Sequence, residues 1–233
     1  MQYLQKLDFD WIEMLNFYER PFRAKLVPSK IWKDLDVYRN DEKGLSNYFK
    51  KWRTKIEWRP RPSNAKVFDT YVAIGGEYGP EERQCTIQIY TLEFQTFKFS
   101  PKTWDAFKYR MIQTLMHELI HLMQYDRRND LNPSIVVPYK KVGIQKKDSE
   151  RRYLSEFDEI QAYANCVYLD FKTNKPRVPL ETLLKRIKTD ARYDSKTLHY
   201  FLKTFDYDFR NNISPRKLIE HIGKWDRKYN KMI

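Results

Sequence analysis

The chain has 233 residues, with 44 lysines and arginines against 31 aspartates and glutamates, a formal net charge of +13. Its mean hydropathy is −0.80, and it holds no apolar run approaching the roughly 20 residues of a membrane-spanning helix, so none is expected. Two cysteines, Cys85 and Cys166, are too few for a disulfide scaffold or a cysteine-rich zinc ribbon, and both read as small buried hydrophobes.

This length fits a single domain, 1–233, with a real core. We divide it into an N-terminal helical part (1–65), a central core (66–171) and a helical C-terminal part (172–233). The first residues, Met1 to Met14, carry acids and lack the apolar centre of a signal peptide, so residence in a cytoplasm is the expectation. Residues 1–20 read as a helix, with Leu4, Leu7, Trp11, Met14, Leu15 and Tyr18 near one face. Pro21 and Pro28 break any regular element over 21–28. A second helix is expected over 44–58, closed by Arg59-Pro60-Arg61-Pro62.

Lys66–Ile74 reads as a strand and Gly75–Pro80 as a turn. Cys85–Tyr90 alternates, with Ile87 and Ile89 on one face and Thr86, Gln88 and Tyr90 on the other. The edge of this second strand can pair with an extended peptide. Ser100 and Pro101 then offer an N-cap and a first-turn proline for a long helix.

That helix carries His117-Glu118-Leu119-Ile120-His121, with Ile112, Leu115, Met116, Leu119, Ile120 and Met123 recurring at helical spacing. Residues four apart lie one turn apart on one face, so both imidazoles can reach one metal ion, with Glu118 beside them to polarise a water. Two histidines and a glutamate are costly in a buried helix unless something satisfies them. A metal does so; hydrogen bonds from two core histidines to carbonyls are the alternative.

Catalytic zinc usually takes three protein ligands. No third histidine follows at short spacing. The downstream candidates lie in Leu154-Ser-Glu-Phe-Asp-Glu-Ile-Gln-Ala-Tyr-Ala164. Ser155 and Asp158 resemble a capping box, so a helix is expected to begin there. Glu159 sits in its first full turn, with small Ala162 three residues on, and is our choice. Glu156 is the second choice and Asp158 the third; acidic residues also favour a helix N-terminus for electrostatic reasons alone. The stretch from Asp126 to Arg152, with Pro133, Pro138 and many lysines, reads as a loop on the rim of the cleft. Residues 180–190 and 215–230 read as amphipathic helices, with Leu180, Leu183, Leu184 and Ile187 forming a core stripe.

The segments H-E-L-I-H-L-M-Q and S-E-F-D-E-I-Q-A-Y-A, within Thr86–Phe171, resemble the gluzincin-type HEXXH metallopeptidases, in particular short zinc peptidases of bacteriophages and bacteria. The resemblance implies an α+β, zincin-like fold: a small sheet against the long HEXXH helix, with further helices at both ends. It implies zinc (Zn2+) as cofactor, His117, His121 and Glu159 as ligands, Glu118 as general base, and a protein or peptide as substrate. A phage origin would place the protein in the host cytoplasm or the virion. The well-studied gluzincins also carry a downstream histidine or tyrosine that steadies the oxyanion, and no residue here matches it directly. Tyr153 is our candidate for that donor, with Tyr163 and His199 as alternatives.

Basic clusters such as Lys50-Lys-Trp-Arg53, Lys140-Lys141 and Arg151-Arg152 fit an acidic partner or nucleic acid, and equally a solvated surface. The competing functional class is therefore a basic nucleic-acid-associated protein, or a virion structural protein, with an inactive or structural metal site.

Overall fold

The computed structural model describes residues 28–60, 73–91, 99–127, 134–174, 178–186 and 195–230. The helix expected over 1–20 lies outside them. The fold class is α+β and mostly helical. Among the described residues no helix is long and apolar enough to cross a membrane. The chain forms two compact units, Met1–Asp130 and Leu131–Ile233.

In the first unit, α1 (Pro28–Asp34) and a 3-10 turn (Leu35–Tyr38) lead into α2 (Glu42–Phe49). The Asp41 side chain caps α2 by accepting from Gly44 N–H at 2.8 Å. The helix expected over 44–58 ends here. A 3-10 turn follows, Arg53 takes a left-handed φ of 52°, and Thr54–Pro60 is strand β1. Thr54 and Ile56 are buried while Lys55 is exposed, a period of two that overrides the helical pattern.

Strand β2 is Ala73–Gly79 and β3 is Gln84–Thr91. Residues 66–72 of the first expected strand lie outside the described residues. Its supposed turn, Gly75–Pro80, is for the most part strand: Gly75 to Gly79 all pair with β3, and the chain reverses at 80–83, where Arg83 has φ 48°. Among the described residues the sheet order is β1-β3-β2, with β1 parallel and β2 antiparallel to β3. The second expected strand is therefore present but central. Both its edges are taken, by β1 and by β2. The two faces differ as the alternation requires: Cys85, Ile87 and Ile89 are buried. Gln88 on the other face bonds Glu77 and Tyr90.

Helix α3 (Pro101–Arg127) packs on β2 and β3. Ser100 caps it as expected, its Oγ accepting from Thr103 N–H at 3.3 Å and its carbonyl from Trp104 N–H at 2.9 Å. Met111, Leu115, Leu119 and Leu122 form its buried stripe. Buried Lys108 on the same helix pairs with Asp36 and Asp105.

The second unit is helical: α4 (Gln145–Leu154), α5 (Phe157–Asn174), a short helix over 180–186, α6 (Lys196–Thr204) and α7 (Ile213–Asn230). Helix α7 covers the segment expected to be helical at 215–230. The 126–152 segment, by contrast, is not all loop, because α3 runs to Arg127 and α4 begins at Gln145. The Asp148 carboxylate accepts from Val142 and Gly143 N–H at 2.7 and 3.1 Å, which starts α4. Ser155 does not open α5. It closes α4, its N–H donating to Arg152 O at 3.0 Å, and its hydroxyl meets Ser214 Oγ at 2.7 Å in the core. Helix α5 packs along α7 and touches α6. Leu180 and Leu183 are buried as the stripe required; Ile187 lies outside the described residues. Both cysteines are buried, Cys85 at 1% and Cys166 at 5% exposure.

Candidate metal centre

His117 and His121 project from one face of α3, with ring centroids 4.9 Å apart. Their Nε2 atoms approach to 3.2 Å. Two ligands about 2.1 Å from one tetrahedral ion lie about 3.4 Å apart, so this spacing fits a shared metal. Buried Gln124, one turn on, accepts through Oε1 from His121 Nδ1 at 2.9 Å. An amide oxygen only accepts, so the His121 proton sits on Nδ1 and the Nε2 lone pair is left for a metal.

His117, His121 and Glu159 form a group that can hold a metal ion: their ligand atoms all lie within 4.8 Å of one another. His121 and Glu159 are buried and His117 is half-buried. Glu159 occupies the first turn of α5. The donor set of two neutral imidazole nitrogens and one carboxylate oxygen suits a borderline divalent cation. Glu156 and Asp158 do not belong to this group. Glu156 pairs with Val136 in a β-bridge, and Asp158 N–H donates to Ser134 Oγ at 3.1 Å.

Glu118 faces the sheet and is 4% exposed. Cross-strand partners share a face, and Gly76 lies opposite Ile87, one of the residues on the face toward α3. A Cβ at Gly76 would fall 2.2 Å from Glu118 Oε1 and 2.7 Å from Thr114 Cγ2. Glycine is thus what lets β2 cross directly over the Glu118 carboxylate. On β3, buried Cys85 senses the same carboxylate: burial first, then the Glu118 charge, push its thiol above the usual range.

We expect Gly76→Ala to overpack the contact of β2 with α3 and to cost about 2 kcal/mol of stability. The new methyl meets the end of the flexible Glu118 side chain and also the γ-methyl of β-branched Thr114, so the packing of β2 on α3 must give as well as the carboxylate. Thermal melts of the two proteins check this; an unchanged Tm would show that β2 takes the methyl at no cost.

The other sequence candidates are not members of this ligand group. Tyr153 lies on the last turn of α4 with 43% exposure, outside the three-ligand group. Tyr163 stacks with Tyr200, ring centroids 6.4 Å apart. His199 Nδ1 meets the Tyr207 hydroxyl at 2.5 Å. The fourth histidine, His221, is buried against the Phe157 ring. Burial first, then Lys224 and Lys217 against the opposing Glu220, hold it down to about 4, so it is neutral at pH 7.

Sequence reasoning missed Gln124 and Gly76. A polar residue on a buried helix face three positions after a ligand was the signal for the first, and a glycine inside a strand pattern was the signal for the second. No family model, curated protein or solved structure matches the chain.

Proposed function

We propose that the protein is a zinc-dependent metallopeptidase of zincin-like architecture, hydrolysing peptide bonds at His117, His121 and Glu159 with Glu118 as general base. The observation that carries the reading is the convergence of the three ligand atoms within 4.8 Å, with the glutamate of the motif next to the first ligand in sequence. Zinc bound by this set supplies Lewis acidity and brings a coordinated water toward a pKa near 7.

The chain's own residues do the rest. Gln124 orients His121 and fixes its proton on Nδ1. Glu118, held dry under β2, takes a proton from the attacking water and delivers it to the leaving amine. Tyr153 is the proposed hydrogen-bond donor to the oxyanion. Strand β2 has α3 beneath it and, among the described residues, only β3 beside it, so it offers an edge above the general base.

Metal content by mass spectrometry, on the parent and on Glu159→Ala prepared side by side, tests the assignment. One zinc per chain in the parent and affinity lowered at least 100-fold in the variant is the expected result. A metal-replete parent without zinc would overturn the reading and return the motif to a helix-packing pattern.

A further inference from the structure

The segment leading into α4 holds a short extended stretch, Ser134 to Val137, laid against the junction of α4 and α5. Val137 N–H donates to Ser155 O at 2.7 Å, and Phe157 N–H donates to Ile135 O at 2.8 Å. These two bonds flank Val136 and Glu156, which makes them a non-hydrogen-bonded antiparallel pair. In such a pair the N–H and C=O of the central residue point to the side away from the partner strand. No described residue bonds either group of Val136. Val136 is 38% exposed and Ile135 76%.

This is a strand edge in miniature, with one side paired and the other side presenting a donor, an acceptor and apolar side chains. Its location matters. Ser134 Oγ accepts from Asp158 N–H, and the next residue is Glu159, the carboxylate of the candidate metal group. Pro138, two positions after Val136, has no N–H to offer on the same side. The edge is therefore too short to recruit a whole sheet or to hold a second copy by strand pairing. What it fits is one extended peptide, bound through its backbone at one residue and through an apolar side chain against Ile135.

We propose that the outward edge of Val136 is a docking strand for an extended peptide bearing apolar side chains. That this peptide is a substrate rests on the peptidase reading; that it docks does not.

The probe is a fluorescein-labelled mixture of unstructured apolar-rich hexapeptides, followed by fluorescence polarisation on zinc-loaded Glu118→Gln protein, which binds without cleaving. Adding Val136→Pro removes the outward N–H and leaves the bonds to Ser155 and Phe157 in place. Affinity is expected to fall about tenfold, the worth of one backbone hydrogen bond. Val136→Ala, which keeps the N–H, stays within about threefold of the parent. Equal binding with and without Val136→Pro, or no binding by the parent, overturns the proposal. If Val136→Pro lowers the melting temperature, amide exchange in the unsubstituted chain decides. Val136 N–H should exchange at least tenfold more slowly with saturating peptide, and unchanged exchange overturns the docking edge. Cleavage is read separately on protein with Glu118 intact. Peptide bound at the edge but never cleaved sinks the peptidase reading and leaves the docking strand standing.

Discussion

On the peptidase reading proposed above, Glu118→Gln is expected to lower peptide hydrolysis by about 10²- to 10⁴-fold while zinc content stays at the parent level. The substitution keeps the shape of the side chain, which matters here because the space under β2 is tight: Gly76 supplies it by lacking a Cβ. It removes the only property the mechanism asks of position 118, the capacity to take and return a proton. Glu118 is outside the ligand group, so metal binding has no reason to change. The measurement is kcat/KM on a peptide mixture, paired with metal analysis and a thermal melt. Activity within tenfold of the parent at full metal occupancy would sink the general-base assignment.

The largest effect on stability is expected at Arg151. This guanidinium is 1% exposed and ties three segments of the second unit together. Nε donates to Thr204 O at 2.8 Å, Nη1 to Lys140 O at 2.6 Å, and Nη2 to Asp206 at 2.6 Å. Asp206 and Tyr207 sit at φ 52° and 56°, a left-handed pair that needs support from its surroundings. Asp206 is itself 55% exposed, so the ion pair contributes little. The cost of Arg151→Met comes from two carbonyls left without a donor, about 1–3 kcal/mol each, with a total of roughly 3 kcal/mol after relaxation. For a unit of this size that lowers Tm by on the order of 10 °C. Circular dichroism melts check it, and a shift under about 3 °C would show that water replaces the guanidinium at little cost.

The parts of the fold that sequence exposed were those where one local rule acted alone. Ser100 and Pro101 opened α3 because cap chemistry and the following apolar stripe agreed. His117 and His121 converge because helical geometry fixes residues four apart. Glu159 and Asp158 share the first turn of α5, and it is Glu159 that joins the ligand group, a choice set by the face of the helix. The misreadings came where two patterns overlapped or where a distant partner decided. Residues 44–58 satisfy a helical stripe and a period-two alternation, and the left-handed turn at Arg53 chooses between them. Gly75 and Gly76 read as a turn, since nothing local reveals a carboxylate waiting beneath the strand. Helix α4 escaped notice because its buried members are Leu154 and the charged Arg151, whose burial depends on acceptors more than 50 residues away at Thr204 and Asp206. The central place of β3 followed from a parallel pairing with β1, a long-range choice that alternation cannot encode.

The two cysteines are distributed one to each unit: Cys85 within 1–130 and Cys166 within 131–233. Both are almost fully covered. Only an opened chain can deliver either thiolate to an alkylating reagent. The native sequence therefore carries a separate chemical clock in each half. Modification of one sulfur ahead of the other, mapped by peptide mass, reports which half opens first, with no label introduced and no residue replaced.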